Sequence, residues 1–100
     1  MKFEIAPKST EIVSNWDDAR FYCFSLSIDG KTGWRLPTKK ELHLLAILEN
    51  DFGNDYYWTI EEWGNVSVWV QKGVAYRGIH HQFHAHRESK NKVRAVRSKR

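Results

Sequence analysis

The apolar residues of an early segment recur at the spacing of one helical face. Steps of three, four and three separate these residues, which are Trp16, Ala19, Cys23 and Leu26. Ser14 or Asn15 precedes the segment and can cap its first turn, whereas Asp29-Gly30 is typical of a helix stop. The pattern therefore predicts a first helix over residues 16–27.

A second helix is predicted by its N-terminal signal. Thr38 and Glu41 fit a capping box, in which each side chain accepts a hydrogen bond from the backbone N–H of the other residue. The apolar residues that follow predict an inward face, formed by Leu42, Leu45, Ala46 and Leu48. His43 lies beside this face and is expected to be a boundary histidine. The helix is predicted to end in the polar stretch 50–53.

The sequence after the second helix has the period of β-strands. Apolar and polar residues alternate there, which predicts an antiparallel meander of three strands at residues 56–60, 66–70 and 74–80. The last two strands are expected to join through a turn at 71–73. One face of the middle strand should carry its three valines, which are Val66, Val68 and Val70.

Short β-rich runs lie near both ends of the chain. Residues 3–6 predict a strand before the first helix, and residues 93–97 predict a closing strand, whereas the His-rich and Lys-rich interval before it predicts a loop. Two helices followed by short antiparallel strands are typical of the α+β class. We predict one domain over residues 1–100, in which 87–100 form a basic closing strand and tail.

Composition narrows the class of protein. The chain is 41% hydrophobic and 14% aromatic, with five Trp, so it can build a packed core. Its single Cys excludes an internal disulfide and favours a reducing compartment. Neither a membrane-length apolar run nor the apolar core of a signal peptide is present. These features predict a cytoplasmic or virion-associated protein.

Positive charge is concentrated at the C-terminus. Residues 87–100 carry seven Lys or Arg against Glu88 alone, whereas residues 1–86 carry nine against eleven Asp or Glu. Such a segment can contact phosphate, sulfate or an acidic protein, or can serve only as a solvated end. Arg94 and Arg97 occupy strand positions and are expected to have structural roles.

The most distinctive motif precedes the second helix and carries a family resemblance. Trp34 can anchor this loop, and Arg35 can reach a carboxylate such as Glu41. Together with other residues, the motif resembles the C-terminal domain family of the collagen-like adhesin Lcl. The residues that carry this resemblance are Trp16, Ala19, Cys23, Leu26, Gly33-Trp34-Arg35-Leu36-Pro37-Thr38, Glu41, Leu42, Tyr57-Trp58-Thr59 and Val93-Arg94-Ala95-Val96-Arg97.

The resemblance implies a C-type-lectin-like fold, with two helices packed on a twisted antiparallel sheet and with the N- and C-terminal strands paired. It also implies a binding role, because members of the family are similar to modules that bind glycans, sulfated polymers or proteins. Related folds serve phages in receptor binding. Family members commonly pair a Cys of the first helix with one in the closing strand, where this chain has Ala95. This departure favours a phage-encoded or intracellular protein.

The sequence does not predict an enzyme. The formylglycine-generating relatives of this fold bind copper through paired cysteines, and this chain has one Cys. No spacing marks a nucleophile beside a base. The calcium motifs of C-type lectins are also absent. We therefore predict a non-catalytic protein without a cofactor.

The residues predicted to bind a partner are mostly aromatic or basic and lie in the C-terminal half. Trp63 and Asn65 are placed in the loop between two strands, where an exposed indole beside an amide suits a sugar ring or a protein partner. Trp69 points away from the valine face. The whole predicted site consists of Trp63, Asn65, Trp69, Tyr76, Arg77, His80 and His84. The expected partner is a protein or an anionic or glycan surface.

Two alternatives of another class remain open. On an extended chain His80, His84 and His86 point to one side and can bind zinc or nickel, although a polar loop whose imidazoles pair with backbone or water is the preferred interpretation. The basic tail can bind nucleic acid, but the rest of the domain is net negative. The alternative function is thus a metal- or nucleic-acid-binding effector.

Overall fold

A computed structural model describes residues 2–49, 51–75 and 77–99 of the chain. Within these residues it has two α-helices, α1 (Trp16–Ser25) and α2 (Lys39–Leu48). The strands are β1 (Phe3–Ile5), β2 (Ile12–Ser14), β3 (Trp34–Arg35), β4 (Tyr56–Trp63), β5 (Ser67–Lys72), β6 (Gln82–His86), β7 (Asn91–Val93) and β8 (Val96–Ser98). The predicted α+β class is confirmed.

Helix α1 begins where a side-chain cap satisfies its first turn. The Asn15 Oδ1 atom accepts a hydrogen bond from the backbone N–H of Asp18 at 2.8 Å. The helix ends at Ser25, two residues before the predicted end, because Leu26 already has an extended backbone. The predicted inward residues of the helix itself, which are Trp16, Ala19 and Cys23, are buried.

Helix α2 begins with the predicted capping box. Thr38 Oγ1 accepts from the Glu41 N–H at 3.1 Å, and Glu41 Oε1 accepts from the Thr38 N–H at 2.9 Å. The Arg35 guanidinium also donates two hydrogen bonds to the Glu41 carboxylate, at 2.7 and 2.8 Å. This pair joins β3 to the start of α2, as the sequence predicted. Leu48 was wrongly predicted to face inward, since it is 55% exposed.

The strands form two sheets. One sheet has the order β1-β8-β3, and the other has the order β2-β7-β4-β5-β6. The terminal strands pair antiparallel, with Phe3 opposite Ser98, as predicted. The larger sheet is mixed, because Tyr57 of β4 pairs in parallel with Lys92 of β7. The expectation of one wholly antiparallel sheet was therefore wrong.

The third strand of the meander lies later in the chain than predicted. Strand β5 continues through residues 71–72, where a turn was expected, and the described residues 74–75 and 77–80 are not part of its partner strand. The partner is β6, in the His-rich interval predicted to be a loop. Gln71 lies opposite Gln82 in this pairing, and its buried side chain accepts a hydrogen bond from Gln82 at 3.1 Å. Val66 lies in the β4–β5 turn and is 54% exposed, so it does not share the valine face.

The predicted closing strand is two strands separated by Arg94 and Ala95. β7 pairs with β2, whereas β8 lies between β1 and β3. Both intervening residues are buried, and the Arg94 side chain turns toward the carboxylates of Glu11 and Asp51. A single strand would have continued along one sheet, whereas this break lets the chain pass from one sheet to the other.

The two helices cover opposite faces of the larger sheet. Trp58 of β4 belongs to the apolar cluster that includes the buried face of α1, and it also contains Ala95. The neighbouring residue Tyr57 belongs to a second cluster with Leu42 and Leu45 of α2. Because adjacent strand residues point to opposite faces, the centre of β4 is buried on both sides. The end of the larger sheet where β4 finishes at Trp63 carries exposed side chains.

Candidate functional site

An exposed aromatic platform lies at that end of the larger sheet. Trp63 is the last residue of β4, not a loop residue as predicted, and its side chain is 48% exposed. Its ring stacks on the imidazole of His84, with centroids 3.9 Å apart and planes 9° apart. Trp63 lies opposite Ser67 of β5, and His84 lies opposite Trp69 of the same strand, so the indole reaches His84 diagonally across β5, past the small Ser67 side chain.

Trp69 completes the platform and joins it to α2. Its register partner on β6 is His84, and the two rings meet edge to face at 6.2 Å. The Lys39 Nζ atom lies 3.7 Å from the centroid of the Trp69 ring, which is a cation–π contact. The aromatic platform, defined as Trp63, Trp69 and His84, therefore has a fixed ammonium group at its edge.

A groove with basic side chains begins at this ammonium group. It lies between α2 and the strand β6 with the loop before it, and its volume is about 350 Å³. Its lining residues are Lys39, Lys40, His43, His80 and Gln82. We call it the basic groove. Because Lys39 belongs to the groove and also contacts Trp69, the groove and the aromatic platform form one continuous surface.

Two imidazoles face each other in the basic groove. The rings of His43 and His80 meet edge to face with centroids 5.5 Å apart. Burial lowers the pKa of His80, the nearby His43 lowers it further, and a hydrogen bond to the Ala46 backbone opposes both effects. His43 therefore faces His80 across the groove and is not simply a boundary residue.

Carboxylates lie around the basic groove but do not line it. Glu61 Oε2 accepts a hydrogen bond from the Lys39 backbone N–H at 2.6 Å, so it occupies the N-terminus of α2. Glu49 lines a neighbouring groove that shares His80 with this one. Among the described residues no carboxylate is within 4.0 Å of the Lys39 or Lys40 ammonium group.

The structure brings together four of the seven residues predicted to bind a partner. Trp63, Trp69 and His84 form the platform, and His80 lines the adjoining groove, as described above. Asn65 lies in the β4–β5 turn, where its carbonyl accepts a hydrogen bond from Arg87 at 3.1 Å. Arg77 lies in the turn before β6, with a φ of 52°, outside the lining of the groove. Tyr76 lies outside the described residues.

The histidines of β6 are not arranged as a metal site. Among the residues that the structure describes, no three His, Cys, Asp or Glu side chains converge as metal ligands would. His84 stacks on Trp63, and His86 Nδ1 accepts a hydrogen bond from the Glu88 N–H at 3.1 Å. His80 lies before the strand and faces His43 instead. The metal alternative therefore has no geometric support in this part of the chain.

The basic closing segment is largely engaged in ion pairs. Arg94, which is 3% exposed, contacts Glu11 at 2.9 Å and Asp51 at 3.0 Å. Arg97 contacts Glu4 at 2.8 Å. The structural roles expected for both arginines are thus confirmed. These guanidinium groups hold the two halves of the chain together, so they are not part of a solvated tail.

The single thiol is buried and free. Cys23 has no exposed surface, and burial raises its pKa to about 12. A thiol in this state is a poor nucleophile at neutral pH.

Neither α1 nor α2 is long and apolar enough to cross a bilayer, and the same holds for any helix in the described ranges.

Sequence reasoning missed four of the five residues of the basic groove, which are Lys39, Lys40, His43 and Gln82. One signal was present: the Thr38 cap fixes the helix start, and His43 then follows Lys39 and Lys40 at the four- and three-residue spacings that share one helical face. No such signal existed for Gln82, because it faces α2 only through the pairing of β6 with β5.

Fold and surface together define a small α+β domain that exposes aromatic and basic side chains side by side. No family model matches the chain, and a search of curated proteins gave no match either. The resemblance to the Lcl family therefore rests on the sequence motifs.

Proposed function

We propose that this chain is a non-catalytic binding module with a C-type-lectin-like fold, and that its ligand is an anionic carbohydrate polymer. The observation that carries the proposal is the continuity of the aromatic platform with the basic groove through Lys39. Paired terminal strands and two helices beside an extended sheet agree with the fold implied by the Lcl resemblance.

The platform suits the flat apolar face of a sugar ring. His84 covers one face of the Trp63 indole, so the exposed half of this side chain is its other face and its edge. The stacking also restrains the indole, so less rotamer entropy is lost when a ligand binds. Such a held aromatic side chain is a typical contact of high energetic weight in recognition.

The groove suits the negative charge of the same ligand. Lys39 and Lys40 supply two ammonium groups, and the other lining side chains are two imidazoles and one amide. A groove lined by one sign of charge concentrates ligands of the opposite sign. A polymer that carries sulfate or carboxylate groups on sugar rings matches both the platform and the groove.

Other features support binding rather than catalysis. The only thiol is buried with a raised pKa, so it does not supply a nucleophile. The polar side chains of the groove are two ammonium groups, two imidazoles and an amide, so an imidazole that could act as a base has no hydroxyl or thiol nucleophile beside it in this lining. We therefore assign the surface to recognition.

Binding to immobilised heparin, a polymer of sulfated and carboxylated sugars, tests the proposal. We expect Trp63→Ala to weaken binding at least about tenfold, since a contact of this type contributes about 2 kcal/mol or more. Phe24→Ala is the matched control, because Phe24 is 82% exposed on α1, on the other face of the sheet. It should bind heparin as the unmodified chain does.

Two results would overturn the proposal. One is that Trp63→Ala and Phe24→Ala both bind heparin as the unmodified chain does, which would mean that heparin does not contact the aromatic platform. The other is binding to single-stranded DNA that exceeds binding to heparin at the same salt concentration and is insensitive to Trp63→Ala. That result would favour the nucleic-acid alternative and the basic closing segment.

A further inference from the structure

We infer that the basic groove is an oxyanion subsite whose affinity increases with acidity, because anion binding there is coupled to proton uptake by His43 and His80. The ligand class is a sulfate, carboxylate or phosphate group. This inference rests on the proposed function, in that it treats the groove as part of the ligand-binding surface.

The geometry creates the coupling. His43 and His80 lie 5.5 Å apart, so protonation of one imidazole disfavours protonation of the other. Lys39 and Lys40 line the same groove and contribute two further positive charges. An oxyanion in the groove would interact favourably with every one of these groups when they are charged. Binding of the anion therefore favours the protonated imidazoles, and protonation in turn favours the anion.

Among the described residues, the elements around the groove contribute no carboxylate to its lining. From α2 the groove receives Lys39, Lys40 and His43, and from β6 and the loop before it the neutral Gln82 and His80. These are its lining groups. His84 of β6 lies outside the lining and is stacked on Trp63.

The two nearby carboxylates are placed where they do not fill the groove. Glu61 of β4 is bound to the Lys39 backbone N–H, and Glu49 at the end of α2 faces the neighbouring groove on the other side of His80. The low pKa of His80 has burial as its largest cause and His43 as its second. In the absence of an anion, the folded protein thus disfavours a protonated His80.

Inorganic sulfate is the probe that isolates this subsite, because it has no sugar ring and its charge is constant across the range in which imidazoles titrate. We expect the affinity for sulfate to rise at least about fivefold between about pH 7.5 and about pH 5.5. The rise should disappear in the double variant His43→Gln/His80→Gln. The control His86→Gln removes an exposed imidazole of β6 outside the groove and should keep the rise.

A site-specific measurement accompanies the affinities. Imidazole proton resonances, recorded during a pH titration, report the midpoint of each histidine separately. In sulfate the midpoints of His43 and His80 should move to higher pH relative to sodium chloride of equal ionic strength, while that of His86 stays. Equal movement at all three, or an affinity that does not depend on pH, would overturn the inference.

The Trp63→Ala variant separates this inference from the proposed function. If the variant loses heparin binding but keeps the pH-dependent response to sulfate, both proposals are supported. If heparin binding depends on Trp63 while sulfate shows no coupling, the inference fails alone. If sulfate affinity depends on pH as expected while Trp63→Ala leaves heparin binding unchanged, the proposed function fails and the groove remains an anion subsite.

Discussion

Arg94 offers the sharpest test of how the closing segment is held. Its guanidinium donates from Nε to the Ala6 carbonyl at 2.8 Å, from Nη1 to Glu11 at 2.9 Å and from Nη2 to Asp51 at 3.0 Å. The side chains of Arg94 and Glu11 are 3% and 5% exposed. Replacing Arg94 with methionine keeps much of the apolar volume and removes all of these bonds. The expected result is a marked loss of stability without a change of fold.

The magnitude follows from what remains around Glu11. Removing one partner of a buried ion pair costs about 3–5 kcal/mol when the other charge is left unpaired. Here Glu11 retains Lys8 at 3.7 Å, Lys92 at 3.8 Å and a hydrogen bond from the Tyr57 hydroxyl at 3.0 Å. We therefore expect about 2–3 kcal/mol, which lowers the melting temperature of a domain of this size by roughly 10–20 °C.

Urea and thermal unfolding of Arg94→Met and of Arg20→Met measure this cost. Arg20 is the matched control, because it is half exposed on α1 and its pair with Asp17 at 3.6 Å is solvated. The control should lose less than about 1 kcal/mol. A double-mutant cycle with Glu11→Gln should give a coupling of at least about 1 kcal/mol. Equal losses for the two single variants, or no coupling, would refute the reasoning.

Acid unfolding provides an independent signature of the same contact. The Arg94 side chain lowers the pKa of Asp51, so Asp51 is ionised more readily in the folded state than in the unfolded state. Its contribution to stability is therefore present above the ordinary carboxyl pKa and is lost as the pH falls through the lowered value. In Arg94→Met this part of the acid-induced loss of stability should be smaller.

Two further predictions concern packing. Gly73→Ala should destabilise the fold by about 1–3 kcal/mol, because a Cβ there would lie 2.3 Å from the Gly53 carbonyl oxygen; a urea midpoint unchanged from that of the unmodified chain would contradict this. Cys23 should react with a thiol reagent far more slowly in the native protein than in urea, since burial raises its pKa to about 12. Rapid labelling of the native protein would show that α1 does not bury this face.

Local signals were sufficient to predict the helices. The Thr38–Glu41 capping box and the spacing of Trp16, Ala19 and Cys23 are properties of a few neighbouring residues, and the structure places both helices there. The paired terminal strands were also expected, through the Lcl resemblance. The helices depend on a motif or on a period that one segment carries by itself, whereas the terminal pairing was expected only from the family resemblance.

Strand partners could not be predicted in the same way. The alternation around Val74 satisfies the period of a strand, but the pairing surface of β5 is taken by β6, in an interval without a clear period. The pairing of β5 with β6 includes the buried contact of Gln71 with Gln82, which lie eleven positions apart in sequence. A long-range contact of this kind leaves no periodic trace, so the predicted meander had the right order and the wrong third strand.

The same limitation explains why the aromatic half of the site was predicted and the basic half was missed. Trp63, Trp69 and His84 belong to residue types that are common in binding sites, so each was interpreted as functional from its type alone. Lys39 and Lys40 are ordinary residues at the start of a helix and acquire a role only because β6 lies opposite them. The predicted site was thus displaced toward the loop residues Asn65 and Arg77, which the structure places outside the groove lining.

The charges around the basic groove differ from those of the arginines elsewhere in the fold. Five arginines distributed over the described chain contact carboxylates within 4.0 Å, and these are Arg20, Arg35, Arg87, Arg94 and Arg97. Lys39 and Lys40 have no described carboxylate within that distance, and the same is true of Lys2, Lys72, Lys90 and Lys99. What distinguishes Lys39 and Lys40 is that they line one groove with two imidazoles, beside an exposed indole platform. This combination makes the groove a favourable position for an external anion.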